Sequence, residues 1–134
     1  MAQMPRFAGL ATFMRLPYVP DLKEVEIALV GVPFDGGTTN RAGARHGPRQ
    51  IREMSTLIRR VHPLTKTEPF RLARCADVGD VPINPIELET SLKSIETFFD
   101  GIQQAGAAPL AAGGDHLISL PILRSLARKG PLGL

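Results

Sequence analysis

Hydrophobic and polar positions along the chain alternate between two kinds of pattern. Residues 25–32, Val-Glu-Ile-Ala-Leu-Val-Gly-Val, form a short and nearly continuous apolar run. Such a run fits a strand buried on both faces of a parallel sheet. A glycine-rich loop from Pro33 to Gly47 follows, and Pro48 then opens a helix. Proline suits a first helical position because its missing N–H is one that the helix leaves unpaired anyway. Ile51, Met54, Leu57 and Ile58 predict the apolar face of that helix.

Residues 72–78 make a second, weaker strand. Asn84, Pro85 and Glu87 then predict a helix start, with Asn84 as cap and Glu87 reaching back to it. Leu88, Leu92, Ile95, Phe99 and Ile102 recur at helical spacing, and Gly106 is placed to end the helix. Residues 108–112 predict a third strand. A last helix is expected over about 118–128, with Pro121 near its first turn and Gly130 as its stop. Strand and helix alternate three times, so the predicted fold class is α/β, a three-layer α/β/α arrangement on a parallel sheet. Leu132-Gly133-Leu134 reads as the opening of a fourth strand, and the expectation is a chain truncated after about three βα units.

Composition narrows the class. The chain has 134 residues, 43% of them hydrophobic and 22% charged, enough for one domain with a core. There is no long apolar run of membrane-spanning length and no h-region of a signal peptide in residues 1–20, so no membrane partner is expected. The single Cys75 has no internal disulfide partner and points to a reducing, cytoplasmic setting. The net charge of +3 is too mild to mark a nucleic-acid binder. Arginines at 41, 45, 49, 52, 59 and 60 nevertheless cluster. Phosphate contacts, an acidic substrate group, or hydrogen bonds that pin the long loop and a subunit contact would each account for them. The last is preferred, because no aromatic residues interleave to stack bases.

In open α/β sheets, ligands bind at the carboxyl ends of the strands. Gly113-Gly114-Asp115-His116 occupies such an end. Two glycines allow a tight turn, His116 would project into the crevice, and imidazole is a common ligand of first-row metals. Asp115 would orient that ligand. The same four residues also fit a helix capped by Asp115 beside an ordinary histidine, and spacing alone leaves both readings open. The loop Pro33–Arg49 is long for a strand-to-helix connection, which suggests function. It lacks the endings of a phosphate-binding loop or a dinucleotide fingerprint. His46 within it could be a ligand, and a loop histidine held by its backbone is the preferred reading. Asp77 and Asp80 could share a metal, and capping of turns and of the next helix is the preferred reading.

Taken together and in order, these pieces resemble the ureohydrolases, the superfamily of arginase and agmatinase. Gly113–His116 with Pro121-Ile122-Leu123 resembles the first metal-ligand motif of that family. Residues 31–35 (Gly-Val-Pro-Phe-Asp), the run from Gly36 to Arg49, and residues 77–80 (Asp-Val-Gly-Asp) resemble it as well. The start, Pro5-Arg6-Phe7-Ala8-Gly9 through Phe13-Met14-Arg15-Leu16-Pro17, is similar to the agmatinase branch, and residues 35–43 are closest in wording to the guanidinopropionases. The resemblance spans nearly the whole chain. It implies that residues 1–134 are the N-terminal part of a single ureohydrolase domain, with 1–20 as an arm and the C-terminal part absent.

It also implies a pair of Mn²⁺ ions, trimers or hexamers, and hydrolysis of a small guanidino substrate to urea and an amine. Of the family's metal ligands, only His116 has a counterpart here. Gly113, Gly114, Asp115, Asn40 and Arg41 are the supporting loop candidates, no catalytic residue is assigned within the chain, and the isolated polypeptide is expected to be inactive. The alternative is a non-catalytic α/β interaction module on the same scaffold.

Overall fold

The computed structural model describes residues 5–133. Three parallel strands form its sheet: β1 (Ile27–Val32), β2 (Cys75–Asp80) and β3 (Ala108–Gly113), in the order β2-β1-β3. The most apolar run is the central strand, because only there are both faces and both edges covered. β1 pairs with β3 in unbroken register from Ile27–Ala108 to Val32–Gly113. Its pairing with β2 slips by one residue between Leu29–Asp77 and Gly31–Asp80.

Alternation along β1 divides the core. Ala28, Val30 and Val32 join Ala76, Val78, Ile95, Phe99, Ile102 and Ile118 on one face. This layer is built by α2 (Leu88–Gln104) and α3 (Ser119–Leu126). Leu29 joins Phe13 and Leu16 on the opposite face, where the N-terminal arm and α1 (Gly47–Ser55) lie. The expected three-layer α/β/α architecture is therefore present. Gln103 at the end of α2 donates to the carbonyl and hydroxyl oxygens of Ser125 at 2.8 and 3.0 Å, a buried polar lock between the two helices.

Several elements differ from the pattern-based expectation. β2 begins at Cys75 rather than 72, and α2 begins at Leu88, one turn later than Asn84 suggested. Asn84 closes a local turn instead, accepting from the Ile86 and Glu87 amides at 3.0 and 3.3 Å. Helix α3 runs over Ser119–Leu126 and is flanked by 3-10 turns at His116–Ile118 and Ala127–Lys129, which together cover the expected segment. No strand forms at Pro131–Gly133, and Leu134 lies outside the described residues.

The largest correction concerns α1. Its apolar residues Ile51 and Met54, with Leu57 and Ile58 just beyond it, are exposed. The inward positions are Pro48, Arg52 and Ser55, one helical stripe apart. A polar stripe faces inward because Asp77, on the neighbouring strand, is only 1% exposed and a buried carboxylate requires a charged partner.

The arm is packed along β2. Asp77 N–H donates to Pro17 O, and Val19 N–H to Asp77 O, both at 2.9 Å. Thr12 Oγ donates to Leu16 O at 2.7 Å and closes the tight turn at Phe13–Arg15. Of residues 1–20, the first four lie outside the described residues.

Candidate active-site edge

Three loops meet at the carboxyl ends of the strands, and two of them are stitched together. Gly114 N–H donates to Val32 O at 3.0 Å, and Asp115 N–H donates to Phe34 O at 2.9 Å. The Asp115 carboxylate accepts from Leu117 N–H at 2.9 Å and from Gly37 N–H at 2.7 Å. The turn after β3 is thus shaped by the loop after β1. Gly114 is required by this closeness, since a Cβ there would overlap the Phe34 carbonyl. A Cβ on Gly113 would likewise meet the Ile118 side chain.

His116 begins the 3-10 turn that Asp115 caps, and it is exposed. The capping reading of Asp115 holds: its carboxylate closes the turn on whose backbone His116 sits.

A second clamp shapes the long loop. Asp35 is buried, with Gly43 N–H donating to its Oδ2 at 2.8 Å and Arg45 Nε to its Oδ1 at 2.6 Å. The loop thereby doubles back on its own base. The Arg45 hydrogen bond is the main reason the Asp35 carboxyl is held at about 2 rather than 3.8, against an opposing push from burial. Sequence reasoning listed Asp35 within a motif and left its role open. The signal was a carboxylate at a strand end followed ten residues later by an arginine.

Asp77 caps a turn, accepting from Gly79 N–H at 2.9 Å, but neither Asp77 nor Asp80 caps α2, and the two do not form a metal pair. Arg52 takes both, through Nε–Oδ2 (2.7 Å) and Nη2–Oδ1 (2.9 Å) on Asp77 and Nη1–Oδ1 (2.6 Å) on Asp80. Burial works against the Arg52 charge, and the hydrogen bonds to the two carboxylates outweigh it. Its guanidinium also lies 4.2 Å from the centre of the Phe13 ring. Arg45 pins the long loop, as the preferred reading of the arginine cluster expects, whereas Arg52 ties α1 to β2 and the arm. Asn40, Arg41 and His46 are exposed. No side-chain hydrogen bond ties Asn40 or Arg41 to Gly113–His116 among the described residues. His46 is held by its backbone, whose N–H donates to Gly43 O at 3.0 Å.

Asp35 and Asp77 are committed to arginines and Asp115 to two amides, so the donors open to a metal at this edge are the exposed imidazoles of His116 and His46. Among the described residues no three His, Cys, Asp or Glu side chains gather to hold an ion.

Comparison with known proteins agrees with this geometry. Residues 25–134 match the model of the arginase family. The guanidinopropionase of Pseudomonas aeruginosa is 54% identical over 133 residues, covering 99% of this chain and 42% of that protein. The guanidinobutyrase of the same organism is 47% identical, covering 98% and 43%. Among solved structures, the proclavaminate amidino hydrolase of Streptomyces clavuligerus superposes with a TM-score of 0.92 at 38% identity, covering 96% of this chain and 43% of that one. A hypothetical agmatinase from Burkholderia thailandensis gives 0.87 at 34%, covering 93% and 40%. The chain spans about two fifths of the length of these relatives. A sheet edge stitched at Gly-Gly-Asp-His, the fold beneath it and the family match converge: the chain belongs to the arginase family.

Proposed function

We propose that the chain serves as the N-terminal part of a single ureohydrolase domain that hydrolyses a small guanidino compound to urea and an amine. The observation that carries this reading is His116. It is exposed at the carboxyl end of β3, on a turn fixed by Asp115 and by the loop after β1. The names of the similar proteins, guanidinopropionase and guanidinobutyrase, favour a guanidino acid as substrate, with agmatine as the competing choice.

The proposed cofactor is a pair of Mn²⁺ ions, with His116 as one ligand. When bound, manganese supplies the Lewis acidity that makes water a nucleophile at neutral pH, which a resonance-stabilised guanidinium carbon demands. Other residues of this chain would hold that one ligand in place. Asp115 fixes the backbone of His116 through two amides, and Gly37 ties that turn to the long loop. Arg45 and Asp35 keep the loop folded back.

One imidazole does not build a two-ion site, so the 134-residue polypeptide alone is proposed to be inactive. Assembly into trimers or hexamers and a cytoplasmic setting remain part of the proposal. No helix among the described residues is long and apolar enough to cross a membrane. One human relative, 45% identical, is named as mitochondrial.

The experiment is urea release from guanidinopropionate, guanidinobutyrate and agmatine with added Mn²⁺. The product of the complete reading frame should favour one guanidino acid, and the 134-residue chain should release none. Turnover by the short chain would refute its inactivity, and no turnover by either would refute the catalytic reading in favour of an interaction module.

A further inference from the structure

On the side of the arm and the segment after α1, five cationic side chains line one open cavity of about 450 Å³. They are Arg6, Arg15, Arg59, Arg60 and Lys66, and no carboxylate lines the cavity. Glu68 lies 3.9 Å from Arg60 and 2.9 Å from Arg71, and Glu53 lines an adjoining pocket with Arg6 and Arg15. We propose that this cavity is a binding site for a small multivalent phosphate anion of the di- or triphosphate class.

Three of the five cations have their backbone or side chain held by local structure. Arg15, at φ 57, is turned so that its guanidinium donates to the Thr56 and Ile58 carbonyls after α1. The Arg60 guanidinium lies 5.2 Å from the centre of the Phe70 ring. Lys66, also at φ 57, sits in a turn in which its N–H donates to His62 O at 2.9 Å and Thr67 O accepts from His62 N–H at 2.8 Å. Groups fixed before binding lose less freedom when a ligand arrives. Like charges that outnumber the acids beside them repel one another, and an anion relieves that repulsion. Guanidinium forks match phosphate oxygens in pairs, which favours phosphate over a simple halide. A single phosphate offers too few oxygens for five cations. Nucleic acid is disfavoured because no aromatic ring lines the cavity for base stacking.

The test is calorimetric titration of the purified protein with sodium tripolyphosphate at low and at physiological salt. Saturable binding that weakens with salt is expected. Arg59→Gln with Lys66→Gln should weaken it by about tenfold or more, since two charge-assisted contacts are lost. Both side chains are exposed, so the fold should survive. Lys93→Gln with Arg124→Gln removes the same net charge elsewhere and should leave affinity within about twofold. The proposal is overturned if tripolyphosphate shows no saturable binding, if both double variants weaken it equally, or if a short single-stranded oligonucleotide or an acidic peptide binds the cavity more tightly. None of these readouts involves urea release, so failure here is distinct from failure of the catalytic reading.

Discussion

Arg52 and Asp77 form a two-pronged pair, Nε to Oδ2 at 2.7 Å and Nη2 to Oδ1 at 2.9 Å, beneath the Phe13 ring. The same carboxylate accepts from the Phe13 and Gly79 amides at 3.0 and 2.9 Å. One buried charge pair therefore joins α1, the arm and the end of β2. Removing the arginine leaves the carboxylate buried without its partner. Arg52→Ala should destabilise the protein by about 3–5 kcal/mol, and Arg52→Lys should recover only part of that because a single ammonium cannot reproduce the fork. Urea unfolding midpoints of the three proteins measure this, and an unchanged midpoint in Arg52→Ala would remove the pair's structural role.

Gly114→Ala should be worse tolerated than its single added methyl suggests. The new Cβ meets the Phe34 carbonyl, so the turn and the loop after β1 must separate. The expected cost is about 1–3 kcal/mol, together with faster amide hydrogen exchange at Gly37 and Leu117, whose N–H groups both donate to Asp115. Exchange that stays slow at both amides would contradict the stitching.

Acid should loosen the long loop at a defined point. The Asp35 carboxyl titrates at about 2 in the folded protein against an ordinary 3.8. A lowered folded value means that its contribution is complete above the unfolded value and is lost as pH falls from about 4 to about 2. Arg45→Gln removes the main cause and should move the onset of acid unfolding to higher pH. Coincident acid transitions in the two proteins, followed by circular dichroism, would show the clamp to be idle.

Cys75 should react slowly. Burial first, and the Glu26 carboxylate second, raise its thiol above the ordinary range. The thiolate is the reactive form, so alkylation at pH 8 should lag behind that of a free cysteine and accelerate when urea unfolds the chain. Equal rates in the folded and unfolded protein would refute the shielding.

Much of this molecule is legible from residue order. The apolar run of β1, the stripe Leu92–Ile95–Phe99–Ile102 and the stop at Gly106 lie where spacing puts them, because local pattern and tertiary burial demand the same thing there, whereas Leu88, expected at the head of that stripe, is exposed. Helix α1 misleads for the opposite reason. Periodicity points to Ile51 and Met54, while a buried carboxylate on another strand turns Arg52 inward, and no local pattern records a partner 25 residues away. The candidate site divides in the same manner. Gly-Gly-Asp-His is visible as a motif, whereas its dependence on Gly37, 78 residues upstream of Asp115, is a property of the folded sheet edge.

The proposed role of His116 as a metal ligand in guanidino hydrolysis is tested by manganese-dependent urea release from the complete protein and its His116→Ala variant. His116 is exposed and supports no core contact, so the variant should keep its unfolding midpoint while losing activity by about 100-fold or more at limiting Mn²⁺. A variant that folds and releases urea at the parent rate would contradict the account.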